Sequence, residues 1–321
     1  MDSISKKIPV TAVVGPTACG KTRLGVYLAK KFDGEVVSAD SMQIYKGISI
    51  ASAAPDADET QGVPHHMLEF LPLGETFSVA DYVDQAQNVI DGIISRNKLP
   101  ILVGGTGLYV NSLIDGIKFS QQNADDGLRK RIEEQTDRLG TEEMLRRLAV
   151  FDPDTAQKLH TNDKRRIIRA FEVYEATGIP ISVQNKESKK DGSRYSALII
   201  GLTYRNRETL YERIEKRIDE MLKRGLLEEA AKTLECTAGK GALQAIGHKE
   251  MHAYLRGEVT YEQAVSNLKT ATRHYAKRQL TWFNKRNDIF WIYADECDAD
   301  STAYKIVKRW RDEWKNQTNC L

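Results

Sequence analysis

The chain reads as an α/β protein: a parallel-sheet core interrupted by an inserted all-helical domain. Three observations predict this. Short β-branched runs alternate with helical patterns in both terminal parts of the chain. The alternation stops between about Asp125 and Gln184, where only helical patterns occur. A glycine-rich phosphate-binding motif joins the first strand to the first helix.

The elements follow in order. Ile8 to Val14 is a β-branched run, and a helical pattern extends from Lys21 to Lys31. Glu35 to Ala39 is a second strand, closed by Asp40. Phe77 to Asn97 has helical apolar spacing, with Ser78 placed to cap it. Pro100 to Val103 is a buried strand that runs into Gly104-Gly105-Thr106-Gly107. In the insertion, Asn162 or Asp163 caps a helix whose apolar residues Ile167, Ala170, Phe171 and Tyr174 share one face; Gly178 and Pro180 stop it. A polar loop, Lys186 to Arg194, leads back to strands at Ala197 to Leu202 and Ile289 to Tyr293. Between these, Arg207 to Glu235 and Tyr261 to Phe283 read as helices. The expected domains are a catalytic core of residues 1–119 and 196–321 and a helical insertion of residues 120–195.

Length and composition narrow the class. The 321 residues suffice for about two domains. With 41% apolar and 29% charged residues, disorder, collagen and a disulfide scaffold are excluded. The net charge of +2 is too balanced to signal a nucleic-acid partner, but its distribution is uneven. Residues 1–120 hold 10 Lys+Arg against 13 Asp+Glu, and the remainder hold 37 against 32. Asn267 to Asn287 has Lys269, Arg273, Lys277, Arg278, Lys285 and Arg286 and no acid, a candidate footprint for a phosphate backbone. Cys19, Cys236, Cys297 and Cys320 form no C-x-x-C pair. The first 15 residues lack the apolar run of a signal peptide, and no stretch approaches the roughly 20 apolar residues of a membrane span. A cytoplasmic protein acting as a monomer, with no membrane partner, is expected.

Gly15-Pro16-Thr17-Ala18-Cys19-Gly20-Lys21-Thr22 matches G-x-x-x-x-G-K-[ST] at every fixed position. The glycines let backbone N–H groups converge on an anion, and the helix N-terminus adds partial positive charge. Lys21 supplies a mobile cation, and the Thr22 hydroxyl can bind Mg²⁺. The core is therefore P-loop NTPase-like. Asp40 and the loop at Thr106 would lie beside this motif at the carboxyl ends of parallel strands, where open sheets bind ligands. A diphosphate cradle, one carboxylate and a second loop with a hydroxyl suit group transfer as well as hydrolysis.

At this point the chain resembles the tRNA dimethylallyltransferase (tRNA isopentenyltransferase) family. The shared strings are GPTACGKT at Gly15–Thr22, SADSMQIYKG at Ser38–Gly47, VPHHM at Val63–Met67 and GGTGLYV at Gly104–Val110. They continue with NDKRRIIRA at Asn162–Ala170, LYERIEKRIDEMLKRGLLEE at Leu210–Glu229, QAIGHKE at Gln244–Glu250 and ATRHYAKRQLTWF at Ala271–Phe283. The resemblance implies transfer of a dimethylallyl group from dimethylallyl diphosphate to N6 of the adenosine 3′ of a tRNA anticodon. It implies Asp40 as the base, Thr106 near donor and acceptor, and Lys21 and Arg217 on the diphosphate, with Mg²⁺ as cofactor. It also implies that Asp40, Ser41, Met42, Gln43, Thr106 and Arg129 contact the anticodon stem-loop. The same is implied for Arg165, Arg166, Ile167, Ile168 and Arg169, for Gln244, Ala245, Ile246, Gly247, His248 and Lys249, and for Arg273, Lys277 and Arg278. Cys19 stands where the family usually has Ser, Ala51-Ser-Ala-Ala-Pro55 replaces a usual G-T-A-K-P, and His248 replaces a common Tyr. Thr203 to Arg207 departs from a usual Trp-containing segment.

The residues alone leave alternatives. Asp40 can be a cap, a Mg²⁺ ligand or a base. Arg217 and the arginines of the insertion can be solvated helix surface, and Thr106 can be a turn residue. His65-His66 suggests a metal only weakly. Tyr275, Trp282 and Phe283 read as core. Cys19 at a helix N-terminus is expected to be a reactive thiol. Competing activities are an adenylate isopentenyltransferase acting on free nucleotide, a small-molecule P-loop kinase and a nucleotide-gated RNA-binding protein.

Overall fold

A computed structural model of the chain describes residues 7–117, 126–188, 190, 192–235 and 245–319. The chain divides into two compact units, Met1–Ile114 with Arg194–Leu321, and Asp115–Ser193.

The first unit is built on strands β1 (Ile8–Val14), β2 (Gly34–Ser38), β3 (His65–His66), β4 (Leu99–Gly104), β5 (Tyr195–Thr203) and β6 (Ile289–Tyr293). They form one parallel sheet in the order β3-β2-β4-β1-β5-β6. β2 and β4 are buried along their whole length, as strands covered on both faces must be. The helices of this unit are α1 (Lys21–Phe32), α2 (Ser49–Ser52), α3 (Ala57–Thr60), α4 (Val79–Ser95) and α5 (Gly107–Ile114). The second unit carries α6 (Asp126–Leu139), α7 (Thr141–Phe151), α8 (Pro153–Ala156), α9 (Lys164–Thr177) and α10 (Ile181–Glu187). The first unit resumes with α11 (Arg207–Lys223), α12 (Leu226–Glu235), α13 (His248–Leu255), α14 (Tyr261–Phe283) and α15 (Ala299–Asn319).

Two apolar layers flank the sheet. One gathers Leu24 and Leu28 of α1, Ile214 and Ile218 of α11, Met251 of α13 and Leu268 of α14. The other gathers Tyr82 and Ile90 of α4, Val110 and Leu113 of α5, and Phe283 at the end of α14. α14 thus contributes to both layers. Its 23 residues span roughly 35 Å, enough to pass from one face of the sheet to the other.

Sequence and structure differ in particular places. The helix expected from Arg207 to Glu235 is two helices, because the chain turns at Gly225, whose φ is +99°. β3 is only two residues long, too short to show a period. α4 starts at Ser78 as expected: its hydroxyl accepts from Asp81 N and the Asp81 carboxylate accepts from Ser78 N, a capping box. In the second unit, Ile132, Met144, Leu148, Ile167 and Phe171 make a separate core. Among the described residues no helix is long and apolar enough to cross a membrane.

A buried polar knot ties α2, α12 and α13 together. The Glu229 carboxylate accepts from Ile50 N at 2.8 Å and Ala51 N at 2.9 Å, and His248 Nε2 lies 2.8 Å from it. Glu229→Ala would leave two N–H donors and a fully buried imidazole without their partner. We expect a loss of about 3 kcal/mol in urea unfolding; a loss under about 1 kcal/mol would contradict this assignment.

Candidate active site at the carboxyl edge of the sheet

Strand order places the expected site residues. β2, β4 and β1 are neighbours, with Ser38 opposite Val103 and Gly104 opposite Val14. The chain leaves β2 at Ala39-Asp40, leaves β4 at Gly105-Thr106, and leaves β1 into Gly15–Gly20. Three loops therefore meet at one edge of a rigid sheet.

The loop after β1 has the strained backbone of an anion cradle. Gly15 has φ +146°, and a Cβ there would fall 2.1 Å from Leu202 O; Gly20 has φ +95°. Ala18 is left-handed at φ 64°, uncommon for a residue with a side chain. Arg213 Nε donates to Ala18 O at 3.0 Å. Lys21 Nζ donates to Pro16 O at 2.6 Å, and Arg217 Nη1 lies 3.4 Å from Thr17 Oγ1. Burial pushes the Lys21 ammonium below its usual range, and the nearby Arg217 adds to this. Burial likewise lowers Arg217, while the charge of Asp40 acts to raise both. Two buried cations thus lie close together at a loop of the kind that cradles phosphate anions.

The loops after β2 and β4 are tied to each other by hydrogen bonds. Asp40 Oδ1 accepts from Met42 N at 2.9 Å, and Thr106 Oγ1 accepts from Ser41 N at 3.0 Å. Thr106 N donates to Ala39 O at 3.1 Å. Ser38 Oγ donates to Gln43 Oε1 at 2.8 Å, and Gln43 Nε2 donates to Ala53 O at 3.0 Å. Tyr82, fully buried and stacked on Tyr109, donates from its hydroxyl to Ser38 O at 3.0 Å. Asp40, Ser41, Met42, Gln43 and Thr106 are all partly exposed. The local geometry leaves Asp40 a turn acceptor and a carboxylate beside Lys21, Arg217 and Tyr275 at once.

The remaining expected contacts divide by burial. In α9, Arg165, Arg166 and Arg169 are exposed, whereas the side chains of Ile167 and Ile168 point into the core of the second unit. Arg129 pairs with Glu133 at 3.0 Å and Glu172 at 3.2 Å in the same unit. Gln244 lies outside the described residues. Ala245, Gly247 and His248 are buried, Ile246 is half-buried, and Lys249 is exposed. The acid-free stretch of α14 is not acid-free in space: Lys269 pairs with Asp219 at 3.2 Å and Arg273 with Glu215 at 2.7 Å, both from α11. Lys277 and Arg278 are exposed, with Arg278 over the Tyr275 ring.

Two sequence expectations need correction. Cys19 is 2% exposed, and burial raises its thiol pKa more than Lys21 and the backbone lower it, so the helix N-terminus does not make it reactive. Trp282 is not core: it is 39% exposed beside fully buried Phe283. His65 and His66 serve local structure, His65 Nδ1 against Val63 O and His66 Nε2 against Glu35, which Arg96 also holds. Sequence reasoning gave no role to Gln279, which touches Thr17 N and Gly105 O. It lies within the shared string Ala271–Phe283, but nothing in its residue type sets it apart from the other neutral polar residues of α14.

Iodoacetamide at pH 8, followed by peptide mapping, should modify exposed Cys297 while Cys19 reacts only after unfolding. The reverse order would contradict the burial of the P-loop thiol.

Comparisons with known proteins agree with this geometry. A model of the IPP transferase family matches residues 43–286. A tRNA dimethylallyltransferase from Acetivibrio thermocellus is 46% identical over 301 residues, covering 93% of this chain and 96% of that protein. One from Caldanaerobacter subterraneus subsp. tengcongensis is 47% identical over 292 residues, covering 90% and 93%. The crystal structure of a full-length tRNA isopentenylpyrophosphate transferase from Bacillus halodurans superposes with a TM-score of 0.72 at 40% identity, covering 98% of this chain and 99% of that one. A eukaryotic dimethylallyltransferase acting on tRNA gives a TM-score of 0.79 at 30% identity, covering 93% and 78%. With its P-loop, Asp40 and Thr106 in the loops that follow three adjacent strands, and with relatives of this identity along nearly its whole length, the chain belongs to the IPP transferase family.

Proposed function

We propose that the protein transfers a dimethylallyl group from dimethylallyl diphosphate to N6 of the adenosine 3′ of a tRNA anticodon, releasing diphosphate. The observation that carries this is the convergence of a P-loop, a carboxylate and a hydroxyl-bearing loop on one sheet edge in a chain of this family.

The adenine amino group is a poor nucleophile because its lone pair is delocalised into the ring. As the N6–C1 bond forms, the C1–O bond breaks and its electron pair leaves with the diphosphate. The N6 proton goes to the Asp40 carboxylate, a contribution of about 10²–10⁴-fold. Gly15–Thr22 receive the diphosphate, with Lys21 and Arg217 supplying charge as it develops. The Thr22 hydroxyl, and Asp40 within reach of the same edge, would hold Mg²⁺ together with the diphosphate oxygens. Such a hard oxygen set suits a cation that keeps much of its water. When bound, Mg²⁺ would neutralise part of the leaving group's charge. Thr106, fixed by Ser41 N, orients the incoming base. An adenosine in an anticodon loop must leave its stack to reach such a site. In the first unit the exposed Lys249, Lys277 and Arg278 are candidates for phosphate contacts; in the second, Arg165 is one, as are Arg166 and Arg169, whose pairs with Asp163 and Glu172 an RNA phosphate would replace.

The test incubates the protein with Mg²⁺, dimethylallyl diphosphate and an anticodon stem-loop, with AMP as a parallel acceptor, and follows mass. Wild type should add one prenyl group to RNA only, and Asp40→Asn should lose about 10²–10⁴-fold in rate. Gain on AMP alone would move the protein to free-nucleotide chemistry. ATP turnover with no prenyl gain on either acceptor would overturn the reading.

A further inference from the structure

One face of α14 engages the loop after β4 at Gly105 and Gly107. Gln279 Nε2 donates to Gly105 O at 3.0 Å. Burial, reinforced by the charge of Asp40, raises the pKa of the Tyr275 hydroxyl, while the nearby Thr106, Arg278 and Gln279 act to lower it. Trp282 lies on Gly107, where a Cβ would fall 2.1 Å from its Cδ1. Residues 275, 279 and 282 share one helical face. The fit is close at Gly105, where a Cβ would fall 2.0 Å from Gln279 Nε2.

The other end of the same amide reaches the diphosphate loop: Gln279 Oε1 accepts from Thr17 N at 2.8 Å. Gln279 is 5% exposed, so both halves of its carboxamide are committed in a nearly dry setting. Glutamine suits this place because it donates and accepts at once. Glutamate lacks the donor and would add charge near Asp40, asparagine is one methylene too short, and leucine fills the space without either bond.

We propose that Gln279 is a positioning residue for the transfer reaction, a rigid spacer that fixes the diphosphate loop against the Thr106 loop. The proposal rests on the function proposed above. The P-loop holds the leaving group and the Thr106 loop holds the base, so the separation of the two loops sets the approach of N6 to C1. Reacting atoms need to sit about 3–3.5 Å apart, and a misplacement of about 1 Å costs on the order of 10²-fold. The Thr17 N–H is already taken by Gln279, so losing the bridge should leave the cradle for the diphosphate intact.

The experiment measures single-turnover transfer, KM for both substrates, urea stability and hydrogen exchange at Thr17 N in wild type, Q279L, Q279A, G105A and G105A/Q279A. Folded Q279L should lose roughly 30- to 100-fold in rate, with both KM values within about threefold. Its Thr17 amide should exchange at least about tenfold faster. G105A, whose Cβ displaces the amide, should reproduce the rate loss. In the Q279A background, where that space is vacated, G105A should cost under about threefold more. Wild-type turnover in folded Q279L, unchanged exchange at Thr17, or rate losses of G105A and Q279A that simply multiply would each overturn the proposal. If Q279L does not fold, the exchange and coupling in G105A, Q279A and the double variant decide it. Absence of transfer in wild type would overturn the proposed function, while the exchange readout would still decide whether the bridge exists.

Discussion

The site depends on the parallel adjacency of β2, β4 and β1. Parallel pairing sends three carboxyl ends to one edge, and burial of the strands on both faces prevents any of them from slipping register. Each strand end then delivers one chemical part: Asp40, Thr106 and the P-loop. None of the three parts is near another in sequence. The sheet converts separations of tens of residues into hydrogen-bonding distances, as between Ser41 N and Thr106 Oγ1 at 3.0 Å.

Charge and strain are arranged around that edge. The P-loop carries a left-handed alanine and a glycine pressed on Leu202 O, and such strain persists only where the surroundings fix it. Lys21 and Arg217 are both disfavoured by burial, and Arg217 lowers Lys21 further; Glu59 and then Asp40 act the other way on Arg217, and Asp40 is among the groups that do so on Lys21. On the proposed function, an incoming diphosphate would relieve the repulsion between these two cations. α14 closes the arrangement from above, because it belongs to both apolar layers and crosses from one to the other.

Much of this was legible in the sequence because the features are local. The P-loop shows itself by fixed residues, β1 and β4 by short apolar runs bounded by glycine, and α4 by its cap. What was not legible depends on neighbours distant in the chain. Lys269 and Arg273 look unopposed along α14, yet α11 presents Asp219 and Glu215 to them. Cys19 looks activated by its helix, yet desolvation outweighs the helix. His248 looks like an exposed contact, yet Glu229 draws it into the core. Ile167, by contrast, is buried on the apolar face its spacing gave it, and Ile168 joins it there rather than facing outward with the arginines. Gln279 falls within a shared string, yet its role shows only in space, because Thr17 and Gly105 come within reach on opposite ends of one amide.

The most direct test of convergence at this edge is a crystal structure with a non-reactive dimethylallyl thiodiphosphate and an anticodon stem-loop. The account expects the diphosphate on Gly15–Thr22, Lys21 Nζ moved from Pro16 O onto it, and the adenine amino group within hydrogen-bond distance of Asp40. A diphosphate bound away from the P-loop, or an adenine amino group out of reach of Asp40, would contradict it.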